Sequence, residues 1–150
     1  MARTESPPNS VRPAALTESS GFLLNKAAQR AVALGEEALQ AFGVKPRHYG
    51  VLEAVSDASP RSQQQIGDLL QIDRTTMAAV ADDLERLGLA IRQPYPGNRR
   101  ANALHLTDAA VALLPRLRAA IGAAESQLLE PLDASERQRL HGLLLRIAPE

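Results

Sequence analysis

The sequence predicts a mainly α-helical fold with a small β-wing, in which a central group of short helices is flanked by two long helical segments. Three observations carry this reading. Apolar residues recur at helical spacing over most of the chain, and the period switches from 3.6 to 2 only between residues 89 and 107. The chain has no Trp and only 3% aromatic residues, so its core is built from Leu, Ala, Val and Ile, a palette that favours helices over β-sandwiches. At 150 residues it is one ordinary domain, or a small domain with an added dimerisation arm.

Residues 1–15 hold Pro7, Pro8 and Pro13 among Ser, Asn and Arg and read as a flexible tail. Residues 16–43 form an N-terminal dimerisation helix. Phe22, Leu23, Ala27, Ala31, Leu34, Ala38 and Phe42 repeat along it, Thr17 is its N-cap and Gly43 its terminator. A helix over 18–42 would be ~37 Å long, too long for so small a core to cover, so a partner chain is expected to complete it. Gly21 and Gly35 are expected to weaken it locally.

Residues 44–107 hold three short helices and a hairpin. Pro46 occupies the favoured first helical position, ahead of Tyr49, Leu52 and Val55 on one face. Ser62 and Gln65 form a capping box opening a helix with inner face Ile66, Leu69 and Leu70. After the short turn Gln71-Ile72-Asp73, Asp73 caps a helix whose Met77, Val80, Ala81, Leu84 and Leu87 face inward, with Gly88 ending it. Two strands, LAIRQP and NALHLT, flank the turn YPGNRR. Residues 108–150 form C-terminal dimerisation helices: one capped by Thr107 and expected to kink at Pro115, and one capped by Asp133 with Glu136.

This order of elements is a winged helix-turn-helix, and it points to double-stranded DNA. Arg74, Thr75, Ala78, Ala79, Asp82 and Arg86 are left outward on the third short helix, and Thr75, Thr76 and Arg74 crowd its N-terminal end. Ser62, Gln63 and Gln64 open the preceding helix, where they can meet phosphate, while Asn98, Arg99 and Arg100 lie at the hairpin tip. Each feature alone also fits an ordinary solvated surface; their order and spacing favour DNA. Bulk charge does not help, because 17 Lys+Arg balance 17 Asp+Glu.

The stretch 44–107, above all IDRTTM…DDLERLGL and RRANALHLT, resembles the MarR (multiple antibiotic resistance regulator) family of bacterial transcription regulators, and the flanking helices extend the likeness over about 18–147. The resemblance implies a homodimer with intertwined terminal helices, two winged domains reading a pseudo-palindromic operator, and a repressor role relieved by a small aromatic or phenolic ligand. On this chain the candidate ligand residues are Asn25, Gln29, Arg47, His48 and Tyr49, with His48 and Arg47 placed to hold a carboxylate. The family's acid-Pro-x-Asp-Arg-Arg wing is here Tyr95-Pro96-Gly97-Asn98-Arg99-Arg100, leaving Asp73 as the acid to reach Arg100. Ala78 and Ala79 stand where the family often has Thr-Arg, and Asp83 where it has Arg, which implies weaker or more selective DNA binding.

Other classes are less well supported. The absence of Cys excludes disulfides, thiolate metal sites and thiol redox sensing, and His48, His105 and His141 are too scattered to suggest a metal. No cofactor is expected. There is no nucleophile–base pair and no phosphate loop, so an enzyme is not expected. No apolar run suits a membrane and the first residues lack a signal-peptide core, so a cytoplasmic protein is the expectation. The alternative is a protein-interaction or ligand-binding module that kept this fold with weak or lost DNA binding.

Overall fold

The computed structural model describes residues 13–57 and 61–148. It is helical apart from one two-stranded sheet: α1 (Ala14–Thr17), α2 (Ser20–Leu39) with a 3-10 turn (Gln40–Phe42), α3 (Pro46–Ser56), α4 (Gln63–Leu69), α5 (Arg74–Arg86), β1 (Ala90–Tyr95), β2 (Asn98–Leu106), α6 (Asp108–Leu128) and α7 (Ala134–Ile147). Of the expected tail, residues 1–12 lie outside the described residues, and Ala14 and Ala15 belong to α1.

The long first helix is divided. Ser19 takes an extended conformation and accepts the Phe22 N–H at 3.3 Å, so Ser19, and not Thr17, is the cap of α2. The Thr17 hydroxyl instead donates to the Ala14 carbonyl at 3.0 Å. At the other end the chain tightens into the 3-10 turn and leaves through Gly43 at φ 68°. Gly35 is not merely a weak point. It is buried where α2 crosses the others, and a Cβ there would lie 3.4 Å from Pro46 Cγ and 3.7 Å from Ile121 Cδ1.

The helix-turn-helix is held by backbone. The Ile72 N–H donates to the Gly67 carbonyl at 2.8 Å, Gln71 adopts φ 52°, and a Cβ on Gly67 would sit 3.0 Å from the Ile72 oxygen. Only a glycine lets α4 approach its own turn this closely. The inner face of α4 is Ile66, Gly67 and Leu70; Leu69, expected inside, is 57% exposed because it projects to one side of that stripe. Leu87, also expected inside, is the C-cap of α5 and is exposed. Gly88 turns the chain at φ 69° so that the Leu89 N–H reaches the Leu84 carbonyl at 2.9 Å, and Leu89 takes the buried place.

The first strand has the expected length, shifted by one residue, and the second is longer than the sequence pattern suggests. They pair antiparallel from Ala90↔Leu106 to Pro94↔Asn102, then shift register to Tyr95↔Asn98. The turn shrinks to Pro96-Gly97, with Gly97 at φ 80°, and Asn98, Arg99 and Arg100 belong to β2. A bridge between Ser62 and Ala103 ties the start of α4 to the sheet. Thr107 joins the sheet to α6: its hydroxyl donates to Gly88 O at 2.7 Å and accepts the Ala110 N–H at 3.2 Å. α6 spans Asp108–Leu128 with Pro115, the expected kink site, inside it.

One core links these elements. Val51, Leu52, Ile66, Met77, Leu84, Leu104, Leu114 and Leu117 pack together, and Leu39 joins from the end of α2. The N-terminal part of α2 and the whole of α7 remain outside it.

Candidate nucleic-acid interface

A polar groove of about 570 Å³ opens between the first turns of α4 and α5 and the wing. It gathers Ser62, Gln63, Gln64, Arg74, Asn98 and Arg100, residues distant in sequence, and adds Tyr95 and Asn102, which sequence patterning did not single out. Thr75 is exposed beside it on α5, and Arg99 is exposed next to Arg100 but outside the lining, as alternation along a strand requires. Asn98 Oδ1 accepts the Arg100 N–H at 3.0 Å, stiffening the chain just after the tight turn.

Not every polar group here is free. Ser62 and Gln65 form the expected reciprocal cap, at 2.8 and 3.2 Å. Asp73 accepts both the Thr76 N–H (2.9 Å) and the Thr76 hydroxyl (2.5 Å), which holds its carboxyl below the usual range. It therefore braces its own helix, and no Asp73–Arg100 ion pair forms among the described residues. Thr76 is correspondingly engaged and half-buried, whereas Arg74 and Thr75 are exposed.

The wing is held by a residue that sequence reasoning passed over. Arg92, on β1, pairs with Asp82 at 2.6 Å and with Glu85, donates to the Ala78 carbonyl at 3.1 Å, and takes Gln63 Oε1 at 3.2 Å. Burial opposes the charge on Arg92, but the hydrogen bonds it donates to Asp82 and Glu85 overcome it and raise its pKa. One guanidinium thus joins the wing, α5 and α4. The signal was present as two acids on one α5 face and an Arg in the next strand, but their meeting depends on how β1 folds back.

The five residues named for a ligand are not gathered in one place. Asn25 and Gln29 are exposed on α2, some ten and six residues before the crossing at Gly35, or roughly 15 and 9 Å along the helix. Arg47 is exposed at the start of α3, and Tyr49 is half-buried, its pKa raised by burial and by Glu53. Glu53 is in turn clamped by Arg118 of α6 at 2.7 and 2.9 Å, which lowers its pKa. His48 is buried with both ring nitrogens engaged inside the protein: the Lys45 N–H donates to Nδ1 at 3.0 Å, and Nε2 lies 3.2 Å from Asp83. The expectation that His48 holds a ligand carboxylate meets no free nitrogen. Asp83, expected to place a negative charge near DNA, is turned to His48 and Arg86.

Among the described residues no group of His, Asp or Glu has metal-binding geometry, and no helix is long and apolar enough to cross a membrane.

Comparison with known proteins agrees with this architecture. The MarR family's sequence profile matches residues 42–101. A protein assigned to transcriptional regulation of the hcr operon in Thauera aromatica is 32% identical over 105 residues, 70% of this chain; the chain spans 63% of that relative's length. A probable transcriptional regulator from Pseudomonas aeruginosa superposes with a TM-score of 0.81 at 32% identity, covering 89% of this chain and 99% of the other. The transcriptional repressor CouR, solved on a 23-mer DNA duplex, gives a TM-score of 0.82 at 30% identity, covering 89% and 95%. The chain belongs to the MarR family of transcriptional regulators.

Proposed function

We propose that this chain is a repressor that binds a pseudo-palindromic DNA operator as a homodimer. The observation that carries this is the groove in which Arg74 of α5 and Arg100 of β2 converge with the amides of Gln63, Gln64, Asn98 and Asn102. Arg74 and Thr75 enter the major groove, while Arg99 and Arg100 contact the flanking backbone or minor groove. CouR, similar over most of the chain, is a repressor solved on DNA, which supports this assignment. The exposed apolar residues of α1, α2 and α7 support the homodimer: Leu16, Leu23, Leu24, Val32, Leu143, Leu145 and Ile147 are left largely uncovered by the described residues.

A duplex selected from a random library, followed by polarisation titrations at several salt concentrations, tests the assignment. Binding that weakens steeply with salt is expected. Arg99→Ala with Arg100→Ala should flatten the salt slope by up to about two units per wing. Absence of any selected duplex at low salt would refute the DNA assignment.

Release by a small aromatic or phenolic ligand belongs to the same reading. Arg47 and Tyr49 are the members of the expected set that keep accessible surface near the α2–α3 junction. A panel of benzoates and phenols should contain one that lowers the affinity for the selected duplex, and Arg47→Ala should weaken that response to carboxylates.

A further inference from the structure

Among the described residues His48 is the buried polar residue of the core, only 4% exposed. Its two nitrogens have different tasks. Nδ1 accepts the Lys45 N–H at 3.0 Å, so it carries no proton; Nε2 therefore carries the ring hydrogen and donates it to Asp83 Oδ2 at 3.2 Å. Asp83 lies on the C-terminal half of α5, and its other oxygen takes Arg86. The bond from an N–H to a carboxylate is charge-assisted and directional, so it constrains rotation of α5 as well as its distance from α3.

The other end of this link reaches the long helices. Lys45 and Pro46 open α3, and Pro46 packs on Gly35 of α2 so closely that a Cβ there would lie 3.4 Å from its ring. A continuous path of contacts thus runs from α2 through Pro46 and His48 to Asp83 on α5. A rotation of the first turn of α3 against α2 must either carry α5 with it or break the His48–Asp83 bond.

We propose that His48 is a positioning residue for DNA recognition, setting the roll of α5 through Asp83 and coupling the α2–α3 junction to the groove of Arg74 and Arg100. This rests on the DNA-binding reading above. The negative charge of Asp83 on α5 thereby makes a structural contact on the inner flank of that helix, and the carboxyl is held below its usual range first by the His48 hydrogen bond.

Two substitutions separate the two ring nitrogens. His48→Asn keeps an acceptor for the Lys45 N–H but is too short to reach Asp83. His48→Gln places an N–H near the Nε2 position but loses the acceptor that caps α3. Each variant is measured for Tm and for affinity toward a duplex selected by the unmutated chain, with a scrambled duplex as control. The two readouts should cross. His48→Asn should keep the higher Tm yet lose about tenfold in affinity for the selected duplex, with the scrambled duplex changed by less than about twofold. His48→Gln should melt earlier yet stay within about threefold of the parent. Asp83→Ala should reproduce the His48→Asn loss, and the double variant His48→Asn, Asp83→Ala should add nothing to it.

Affinity that is unchanged in His48→Asn, or that falls only in step with Tm across the variants, would overturn the positioning role while leaving DNA binding intact. An unmutated chain that selects no duplex would overturn the regulator reading, and this proposal with it. Ring ¹⁵N NMR of the free protein checks the link without DNA: a proton on Nε2 and none on Nδ1 is expected, and the opposite tautomer overturns it.

Discussion

The winged middle of the chain and its flanking helices have similar Leu- and Ala-rich sequences but solve the burial problem differently. From Val44 to Leu117 the apolar stripes close on one another, and Val51, Leu52, Ile66, Met77, Leu84 and Leu117 are almost fully buried. α7 contributes no buried residue, with Leu145 at 67% and Ile147 at 66% exposure. α2 buries only Gly35 and Leu39, near its C-terminal end. The difference is geometric. Short helices joined by tight turns fold back on each other, whereas α2, 20 residues long, projects beyond the core that holds its C-terminal end. An amphipathic stripe therefore states that a partner surface is needed, and the lengths and turns decide whether the chain itself can supply it.

The strongest way to break this contrast is to charge the uncovered stripe. Leu145→Glu with Ile147→Glu should be nearly neutral in a chain that stands alone, since exposed substitutions usually change stability by less than about 0.5 kcal/mol. In the proposed homodimer the same pair should weaken self-association by at least about a hundredfold, measured by sedimentation velocity, because two buried aliphatic side chains contribute roughly 1.5–3 kcal/mol each. In the middle region the largest effect should come from Gly67→Ala. Its Cβ would press on the Ile72 carbonyl at 3.0 Å, and a loss of about 1–3 kcal/mol is expected in urea unfolding.

Arg92→Met sharpens the contrast on the polar side. It leaves Asp82 and Glu85 facing each other without their cation, so we expect about 1–2 kcal/mol of destabilisation and faster hydrogen exchange in β1. Acid should act on the middle region too. Glu53, Asp73 and Asp83 all have folded-state pKa values below their unfolded ones, so their contribution is present above about pH 4 and disappears as pH falls through the folded values. Melts from pH 7 to pH 3 should show a Tm drop that Glu53→Gln makes shallower. The smallest effect is a gain: Gln71→Gly, at φ 52°, should stabilise the turn by up to about 1 kcal/mol.

Much of this fold is readable from local chemistry. Capping depends on residues three positions apart, so Ser62 with Gln65, Thr107 with Ala110, and Asp133 with Glu136 could be assigned without tertiary knowledge. The same holds for the glycine exit of α5 and the alternation in β2. What failed locally had competing local answers. Thr17 and Ser19 are both good caps, and the choice fell to Ser19 because the chain bends there. Leu69 and Leu87 fit an apolar repeat but lie at helix ends, where the backbone leaves the stripe before the side chain can use it.

The candidate site divides along the same line. Arg74, Gln63, Gln64, Asn98 and Arg100 were legible because they stand at the starts of elements, where position in sequence sets position in space. Arg92 was not, since its partners, Asp82 and Glu85 on α5 and Gln63 on α4, come from two elements whose approach to β1 no spacing rule states. His48 and Asp83 looked like a ligand group and a charge facing DNA until α3 packed against α5 and joined them.

By itself the sequence determined the order of elements, their caps and the apolar stripes, because these follow from backbone hydrogen bonding and periodicity over a few residues. Tertiary structure alone decided which polar side chains are free to meet DNA and which hold the protein together. That choice depends on distances between residues 35 apart in the chain, as His48 and Asp83 are, and a burial that makes each unpaired polar group costly.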